Sequence, residues 1–362
     1  MTEDFMPLLG IDHVEFWVGN ARQAAYFYNK AMGFTPVAYS GLETGVRDRT
    51  SYVMQQGDVR FVVTAALHAD SEISDHVTRH GDGVKVVAIG VPDAKKAWKE
   101  ATERGATSFA EPTESSDDEG TIRLSAIHTY GETIHLFVDR SDYRGAFAPG
   151  YKALNSVPDE TGIREIDHIV GNVELGKMEE WVKYYEDVFG MTEMIHFTDE
   201  AISTEYSALM SKVCIDGSGK VKFPINEPAE GKRKSQIEEY LEYYGTPGVQ
   251  HIALASDDIV KTVDHMRARG MNFLFVPGTY YDEAMERVGD INEDYKDLQR
   301  LGILVDRDDE GYLLQIFTKP VQDRPTVFFE VIERHGARGF GVGNFKALFE
   351  AIEREQDQRG NL

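Results

Sequence analysis

Short apolar segments with alternating polar positions occur throughout the chain, and segments with helical spacing separate them. After Asp258, apolar residues recur at intervals of three and four positions until Arg269 and Gly270. An acidic start with a basic, glycine-containing end is typical of a helix. A matching helix is predicted between Asp93 and Arg104, and strands are predicted before and after each of the two helices.

The order of these segments repeats, so that the second half of the chain resembles the first. The matched segments are 10–14 with 165–169, 84–106 with 249–271, and 133–138 with 326–331. Each repeated unit reads βαβββ, and two units in each half predict an α+β protein with two open barrels. Gly, Pro and polar residues gather near 141–163, which predicts an N-terminal domain over 1–150 and a C-terminal domain over 151–362.

The composition narrows the possible partners. With 362 residues and 41% hydrophobic residues, the chain is long and apolar enough for two folded domains. The net charge of −24 argues against nucleic acid as a partner, because phosphate binding relies on clusters of Lys and Arg. No apolar run approaches the roughly 20 residues of a membrane helix. A single cysteine, Cys214, excludes an intramolecular disulfide and predicts a cytoplasmic protein.

Three residues of the second half have the chemistry of a metal site. His168, His251 and Glu330 lie at matched places in the repeated segments. The corresponding first-half residues are His13, Val86 and Phe137. Two ligand candidates are thus replaced by apolar residues, so the first barrel is predicted to lack a metal. Burying the polar second-half set without partners would cost roughly several kcal/mol for each group, which a metal offsets. Two His and one carboxylate leave coordination positions open and suit iron(II).

A second histidine pair, His76 and His80, has a four-residue spacing that can also bind zinc. The neighbouring Asp75, Thr78 and Arg79 favour an exposed segment, and the sequence indicates no third ligand. We therefore predict no metal at this pair.

Several distinctive segments lie mostly after residue 160. They are 166–168, 224–228, 232–237, 250–251, 311–318, 328–330 and 339–345. Together they resemble the 4-hydroxyphenylpyruvate dioxygenases of the vicinal-oxygen-chelate superfamily, over nearly the whole chain. The resemblance implies the vicinal-oxygen-chelate fold and an Fe(2+) ion held by His168, His251 and Glu330 in the C-terminal barrel.

The resemblance also implies a reaction and a substrate site. It implies a homo-oligomeric enzyme that converts 4-hydroxyphenylpyruvate and O2 to homogentisate and CO2 in tyrosine and phenylalanine catabolism. No side chain beyond the three ligands need act as an acid or base. The implied substrate-binding residues are Ser211, Asn226, Gln236, Gln250, Gln315, Phe317, Phe328, Phe340, Asn344 and Phe345. Ser207 is an alternative to Ser211, because the glycine-rich loop after Ser211 leaves the alignment there open.

The C-terminal segment has the pattern of an amphipathic helix. Phe345, Leu348, Phe349 and Ile352 recur at helical spacing and predict a helix over 345–357. We predict that this helix is a lid on the iron barrel that excludes water. The alternative is a terminal helix that only packs on the core.

Two other functions fit the same scaffold. The first is 4-hydroxymandelate synthase, which uses the same substrate and iron but hydroxylates the benzylic carbon. Such synthases tend to have a smaller aliphatic residue at the position of Phe345 and depart from the run at 224–228, so both features favour the dioxygenase. The second is a barrel that binds a ligand without turnover, which the intact set of three ligands disfavours.

Overall fold

The computed structural model describes residues 5–197, 208–229 and 231–361. The strands are β1 Gly10–Trp17, β2 Thr35–Ser40, β3 Arg49–Gln56, β4 Val59–Ala66, β5 Gly83–Gly90, β6 Ser108–Asp117, β7 Gly120–His128, β8 Ile134–Tyr143, β9 Lys152–Ala153, β10 Ile163–Asn172, β11 Thr192–Phe197, β12 Ala208–Ile215, β13 Lys222–Ala229, β14 Gly248–Ser256, β15 Leu304–Arg307, β16 Tyr312–Phe317 and β17 Phe328–His335. The helices are α1 Ala21–Met32, α2 Glu72–His80, α3 Ala94–Glu103, α4 Met178–Phe189, α5 Gln236–Tyr244, α6 Ile259–Ala268, α7 Thr279–Val288, α8 Tyr295–Leu301 and α9 Phe345–Gln358.

The strands form two curved sheets, one from each half of the chain. Their strand orders are β6-β7-β8-β5-β1-β4-β3-β2-β9 and β11-β12-β13-β10-β14-β17-β16-β15. In each sheet two βαβββ units meet where their first strands pair antiparallel, β1 with β5 and β10 with β14. The predicted α+β class, with four units in two half-open barrels, is confirmed.

The connection between the halves contributes one short strand to the first sheet. Lys152–Ala153 pairs with β2, so this sheet includes residues beyond the boundary predicted at residue 150. The division into domains 1–150 and 151–362 itself stays a prediction.

The helices that carry the repeat begin as their capping residues predict. The side chain of Asp258 accepts a hydrogen bond from the Lys261 amide at the start of α6, and Asp93 caps α3 in the same way. Both carboxylates satisfy amide groups that the first helical turn leaves free. Helices α2 and α5 occupy equivalent places, directly before β5 and β14, but neither they nor α7 and α8 belong to the βαβββ units, and the sequence pattern does not predict them.

The strand registers correct one position of the repeat alignment. Ala253 pairs with Glu330, while its counterpart Ala88 pairs with Leu136. The residue equivalent to Glu330 is therefore Leu136, and the prediction of Phe137 is wrong by one position. Because strand side chains alternate between faces, Phe137 lies on the opposite face and packs against helix α4.

The other two equivalences of the repeat are confirmed by the same registers, His13 with His168 and Val86 with His251. Leu136 packs against a buried apolar cluster on the first sheet. Its members are Val86, Ala88, Ala126, Ile134 and Val138. Hydrocarbon thus occupies two of the three positions that hold polar ligand candidates in the second sheet.

The largest core cluster extends over both halves. Phe329 of β17 meets Tyr28 and Phe61 of the first half, with ring centroids 6.0 and 5.6 Å apart. Its neighbour Glu330 therefore points the other way, into the concave face of the second sheet. Within the described ranges, no helix is long and apolar enough to cross a membrane.

Candidate active site

Three strands bring His168, His251 and Glu330 together on the concave face of the second sheet. The Nε2 atoms of His168 and His251 lie 3.3 and 3.4 Å from Oε2 of Glu330. One ligand atom from each residue falls within 4.8 Å of the others, and all three side chains are buried. The predicted residues are therefore placed as a compact set of two imidazoles and one carboxylate.

The second nitrogen of each imidazole is already engaged. His168 Nδ1 lies 2.7 Å from Oδ1 of Asp167, and His251 Nδ1 lies 2.9 Å from Oε1 of Gln250. Both partners accept hydrogen bonds, so each Nδ1 donates its proton and each Nε2 faces Glu330, at a place where a metal ion would stand instead of a proton. Metal-binding histidines are usually oriented in this way by a second hydrogen bond.

The electrostatics of the set favour a bound cation. Burial alone would raise the pKa of Glu330, but His168 and His251 hold that pKa lower, at about 2. Burial lowers the pKa of His251, against the opposing effect of Glu330. Burial would lower the pKa of His168, but Glu330 and Asp167 raise it. The ionised carboxylate therefore favours a positive charge between itself and the imidazoles, which a bound metal ion would supply.

A partly buried ion pair supports His168 on the side of its Nδ1 atom. Arg334 donates two hydrogen bonds to Asp167, from Nε to Oδ2 at 2.7 Å and from Nη2 to Oδ1 at 2.9 Å. Burial would raise the pKa of Asp167, but the hydrogen bonds from His168 and Arg334 hold it well below its usual value. Phe340 completes the support, with its ring edge-on to His168 at 4.9 Å. Asp167 and Arg334 are candidate site residues that the sequence pattern did not identify.

The first half contains the same support without the metal ligands. Asp12 lies 2.6 Å from His13 Nδ1, and Arg140 donates to both oxygens of Asp12 at 2.6 and 2.9 Å. Phe147 stands edge-on to His13 at 5.1 Å. An aspartate before the histidine in both repeats was the available sequence signal for this arrangement.

The buried set opens into a cavity whose walls are mostly apolar and aromatic and carry a few amide and hydroxyl groups, as is usual for small-molecule sites. Its lining residues are His168, Val170, Leu209, Ser211, Val213, Pro224, Asn226, Gln236, Gln250, His251, Gln315, Phe317, Phe328, Glu330, Phe340, Phe345, Leu348 and Phe349. Every predicted substrate-binding residue except Asn344 is in this lining. The apolar walls at Leu209, Val213 and Phe349 were not predicted.

Gln315 and Asn344 hold Glu330 in position. Gln315 donates from Nε2 to Glu330 Oε1 at 2.8 Å, and it accepts from Asn344 Nδ2 at 3.0 Å. Gly341 has a positive φ of 75°, and a side chain there would place Cβ 2.0 Å from the Gln315 oxygen. Substrate binding by Asn344 stays a prediction. The alternative residue Ser207 lies outside the described residues.

Helix α9 covers the cavity. The predicted C-terminal helix is confirmed, and Phe345, Leu348 and Phe349 on one of its faces line the cavity. Its end is fixed by an ion pair between Arg359 and Glu239 of α5, with Nη2 and Oε2 2.8 Å apart.

The histidine pair on α2 differs from the sequence expectation. His76 and His80 are buried, with 2% and 0% of their surfaces exposed, so the prediction of an exposed segment is wrong for the two histidines. Asp75, Thr78 and Arg79 of the same helix are exposed as predicted. A third ligating side chain, Glu132, also lies within 4.8 Å. The sequence pattern missed it because Glu132 belongs to the β7–β8 connection, far from α2 in the chain.

Comparisons with known proteins agree with this geometry. A family model described as "Glyoxalase/Bleomycin resistance protein/Dioxygenase superfamily" matches residues 165–316. A second, described as "Hydroxyphenylpyruvate dioxygenase, HPPD, N-terminal", matches residues 2–152.

Whole-chain relatives carry similar names. The chain is 49% identical to 4-hydroxyphenylpyruvate dioxygenase from Dictyostelium discoideum, over 98% of this chain and 100% of the relative. It is 47% identical to the protein of the same name from Yarrowia lipolytica, over 100% and 96%. A solved structure of a triple mutant of 4-hydroxymandelate synthase from Streptomyces coelicolor matches with a TM-score of 0.87 and 33% identity, over 97% and 100%.

Proposed function

The chain belongs to the 4-hydroxyphenylpyruvate dioxygenase family, and we propose that it converts 4-hydroxyphenylpyruvate and O2 to homogentisate and CO2 with an iron(II) ion. The observation that carries the proposal is the buried set of His168, His251 and Glu330 at the end of a cavity with aromatic and amide walls. The curated relatives with this name match the chain over nearly its full length.

The residues present fit iron. Two Nε2 lone pairs and one carboxylate oxygen converge, and their outer partners Asp167, Gln250 and Gln315 fix each of them. Iron(II) held by these three side chains would supply redox capacity and open coordination positions. The protein contributes the orientation of the ligands and a water-poor cavity.

We assign two regions of the cavity to the two parts of the substrate. The 2-oxoacid tail lies at the His168, His251 and Glu330 end, where a metal neutralises its negative charge. The phenol ring packs among Phe317, Phe328, Phe340 and Phe345, while the phenol oxygen pairs with the polar group. That group consists of Ser211, Asn226, Gln236 and Gln250. A polar oxygen buried among apolar walls needs such partners.

Aerobic turnover after anaerobic reconstitution with iron(II) tests the function. With 4-hydroxyphenylpyruvate, we expect homogentisate as the aromatic product, identified by mass and NMR, with one O2 consumed per product. The same protein loaded with zinc should consume no O2, because zinc has no redox chemistry.

The other outcomes would change the proposal in different ways. Hydroxymandelate as the product would keep the metal site but assign the chain to the synthase reaction. No iron-dependent O2 uptake with any aryl-pyruvate would favour a ligand-binding barrel without turnover.

Removing helix α9 tests its proposed role as a lid. A chain that ends at Asn344 loses the walls formed by Phe345, Leu348 and Phe349, so water enters the cavity. We expect homogentisate formation to fall by about tenfold or more while iron is still bound. The measurements are product formation and iron content per chain. A control that lacks only residues 360–362 should retain activity; full activity in the longer deletion would leave α9 with a packing role alone.

Two further parts of the proposal concern the state of the protein. Cys214 is buried and free, which fits a reducing compartment, and we place the enzyme in the cytoplasm. A homo-oligomeric state, which the family resemblance implies, stays a prediction that sedimentation analysis measures.

A further inference from the structure

A second set of metal-ligating side chains lies outside the cavity. His76 and His80 are one turn apart on α2, and Glu132 lies in the connection between β7 and β8. Glu132 Oε2 is 3.0 Å from His80 Nε2 and 3.9 Å from His76 Nδ1. One atom from each residue falls within 4.8 Å of the other two.

His76 has no partner that accounts for its burial. Only 2% of its surface is exposed, and among the residues the structure describes neither ring nitrogen has a hydrogen-bond partner. Burial lowers the pKa of His76 to about 3, so the ring is neutral and offers a lone pair. Buried polar atoms are rarely left unpaired, and a metal ion would satisfy this one.

His80 has the orientation of a metal ligand. Its Nδ1 lies 2.5 Å from the carbonyl oxygen of Tyr244. A carbonyl can only accept, so Nδ1 carries the proton and Nε2 presents its lone pair toward Glu132. A backbone carbonyl behind a histidine is a common outer partner at metal sites.

Glu132 is fixed in place by two cations. Arg79 forms an ion pair with Oε1, and Lys85 Nζ donates to the Glu132 carbonyl oxygen at 2.7 Å. Arg79 leaves Oε2 directed at the two histidines. The Arg79 side chain is 57% exposed, so solvent screens its repulsion of a bound cation. The Lys85 ammonium is buried and opposes a cation, and its hydrogen bond to the Glu132 carbonyl oxygen offsets part of this effect.

We propose that His76, His80 and Glu132 bind a zinc ion. Two imidazoles and one carboxylate form a common zinc set, with water in the fourth position. Val77 follows the first histidine where zinc proteases have a glutamate base, so this ion would be structural. It would tie α2 to the β7–β8 connection and, through the Tyr244 carbonyl, to the second half.

Zinc content per chain tests the proposal. Metal-free protein is equilibrated with zinc, separated from free metal and assayed for zinc by elemental analysis. We expect two zinc ions in the wild type, one in the second set and one at His168, His251 and Glu330. Glu132→Ala should bind one, because the remaining histidines are too few to retain the ion. Glu72→Ala, an exposed glutamate on the same helix, is the control and should bind two.

Thermal unfolding gives a second readout. At zinc about a hundredfold above its dissociation constant, the melting temperature of the wild type should rise by about 3 °C more than that of Glu132→Ala. Equal zinc content in the wild type and Glu132→Ala would overturn the proposal. Glu132→Ala should still form homogentisate with iron, so failure of this site is distinct from failure of the proposed function.

Discussion

Glu330→Gln is expected to abolish homogentisate formation, by on the order of a thousandfold or more. The substitution keeps the side-chain volume and an oxygen that can accept the Gln315 hydrogen bond. It removes the negative charge that faces both imidazoles, and with it the only anionic ligand of the set. The expected loss is therefore one of metal binding. Iron content per chain and product formation measure it together.

Glu333→Gln is the matched control for this variant. Glu333 is a buried glutamate on the same strand, but it is directed away from the cavity, and it accepts from the Ile259 amide at 2.7 Å. This control should retain iron and turnover even if its stability falls. Iron retention with near-normal turnover in Glu330→Gln would show that the ligand set is assigned wrongly.

The repeat made most of the fold predictable from sequence. Hydrophobic spacing and acidic caps such as Asp93 and Asp258 are local signals, and the structure places helices where they predict them. Comparing the two halves also identified the ligand candidates, because Val86 occupies the position that is equivalent to His251. Such a comparison needs only the sequence, since equivalent strands carry equivalent residues.

Pairing between strands was not predictable to the residue. The alignment of Glu330 with Phe137 differs by one position from the observed equivalence with Leu136, and that shift reverses the face of a strand. Loops of different length before β8 and β17 hide the shift in the sequence. Glu132 was not predicted as a third ligand for a related reason, because only the folded chain brings it close to α2.

His13 and His168 have the same supporting residues, but only His168 belongs to the candidate metal site. The two histidines therefore allow the effect of these residues on stability to be distinguished from their effect on metal binding. Both histidines have an aspartate, an arginine and a phenylalanine behind them in nearly the same geometry. Only the second half adds an imidazole and a carboxylate on the concave face. The Asp–Arg pair is therefore a structural feature of both halves, and in the second half it also orients a candidate metal ligand.

Asp167→Asn and Asp12→Asn form a matched pair that tests this division. Each leaves a partly buried arginine, Arg334 or Arg140, without its anionic partner, so each should destabilise the protein by about 2 kcal/mol. Only Asp167→Asn should weaken iron binding, by about 10- to 100-fold, because Asp167 orients His168 and makes it a stronger ligand. Denaturant unfolding measures the first effect, and anaerobic iron titration against a competing chelator measures the second.

The comparison is informative because the two losses have different origins. If stability alone governed iron affinity, both variants would lose affinity equally, since the two ion pairs are partly buried to a similar extent. Equal losses of iron affinity in the two variants would thus contradict a role of Asp167 in orienting the metal ligand. A loss confined to Asp167→Asn would show that the same Asp–Arg pair has a purely structural role beside His13 and a ligand-orienting role beside His168.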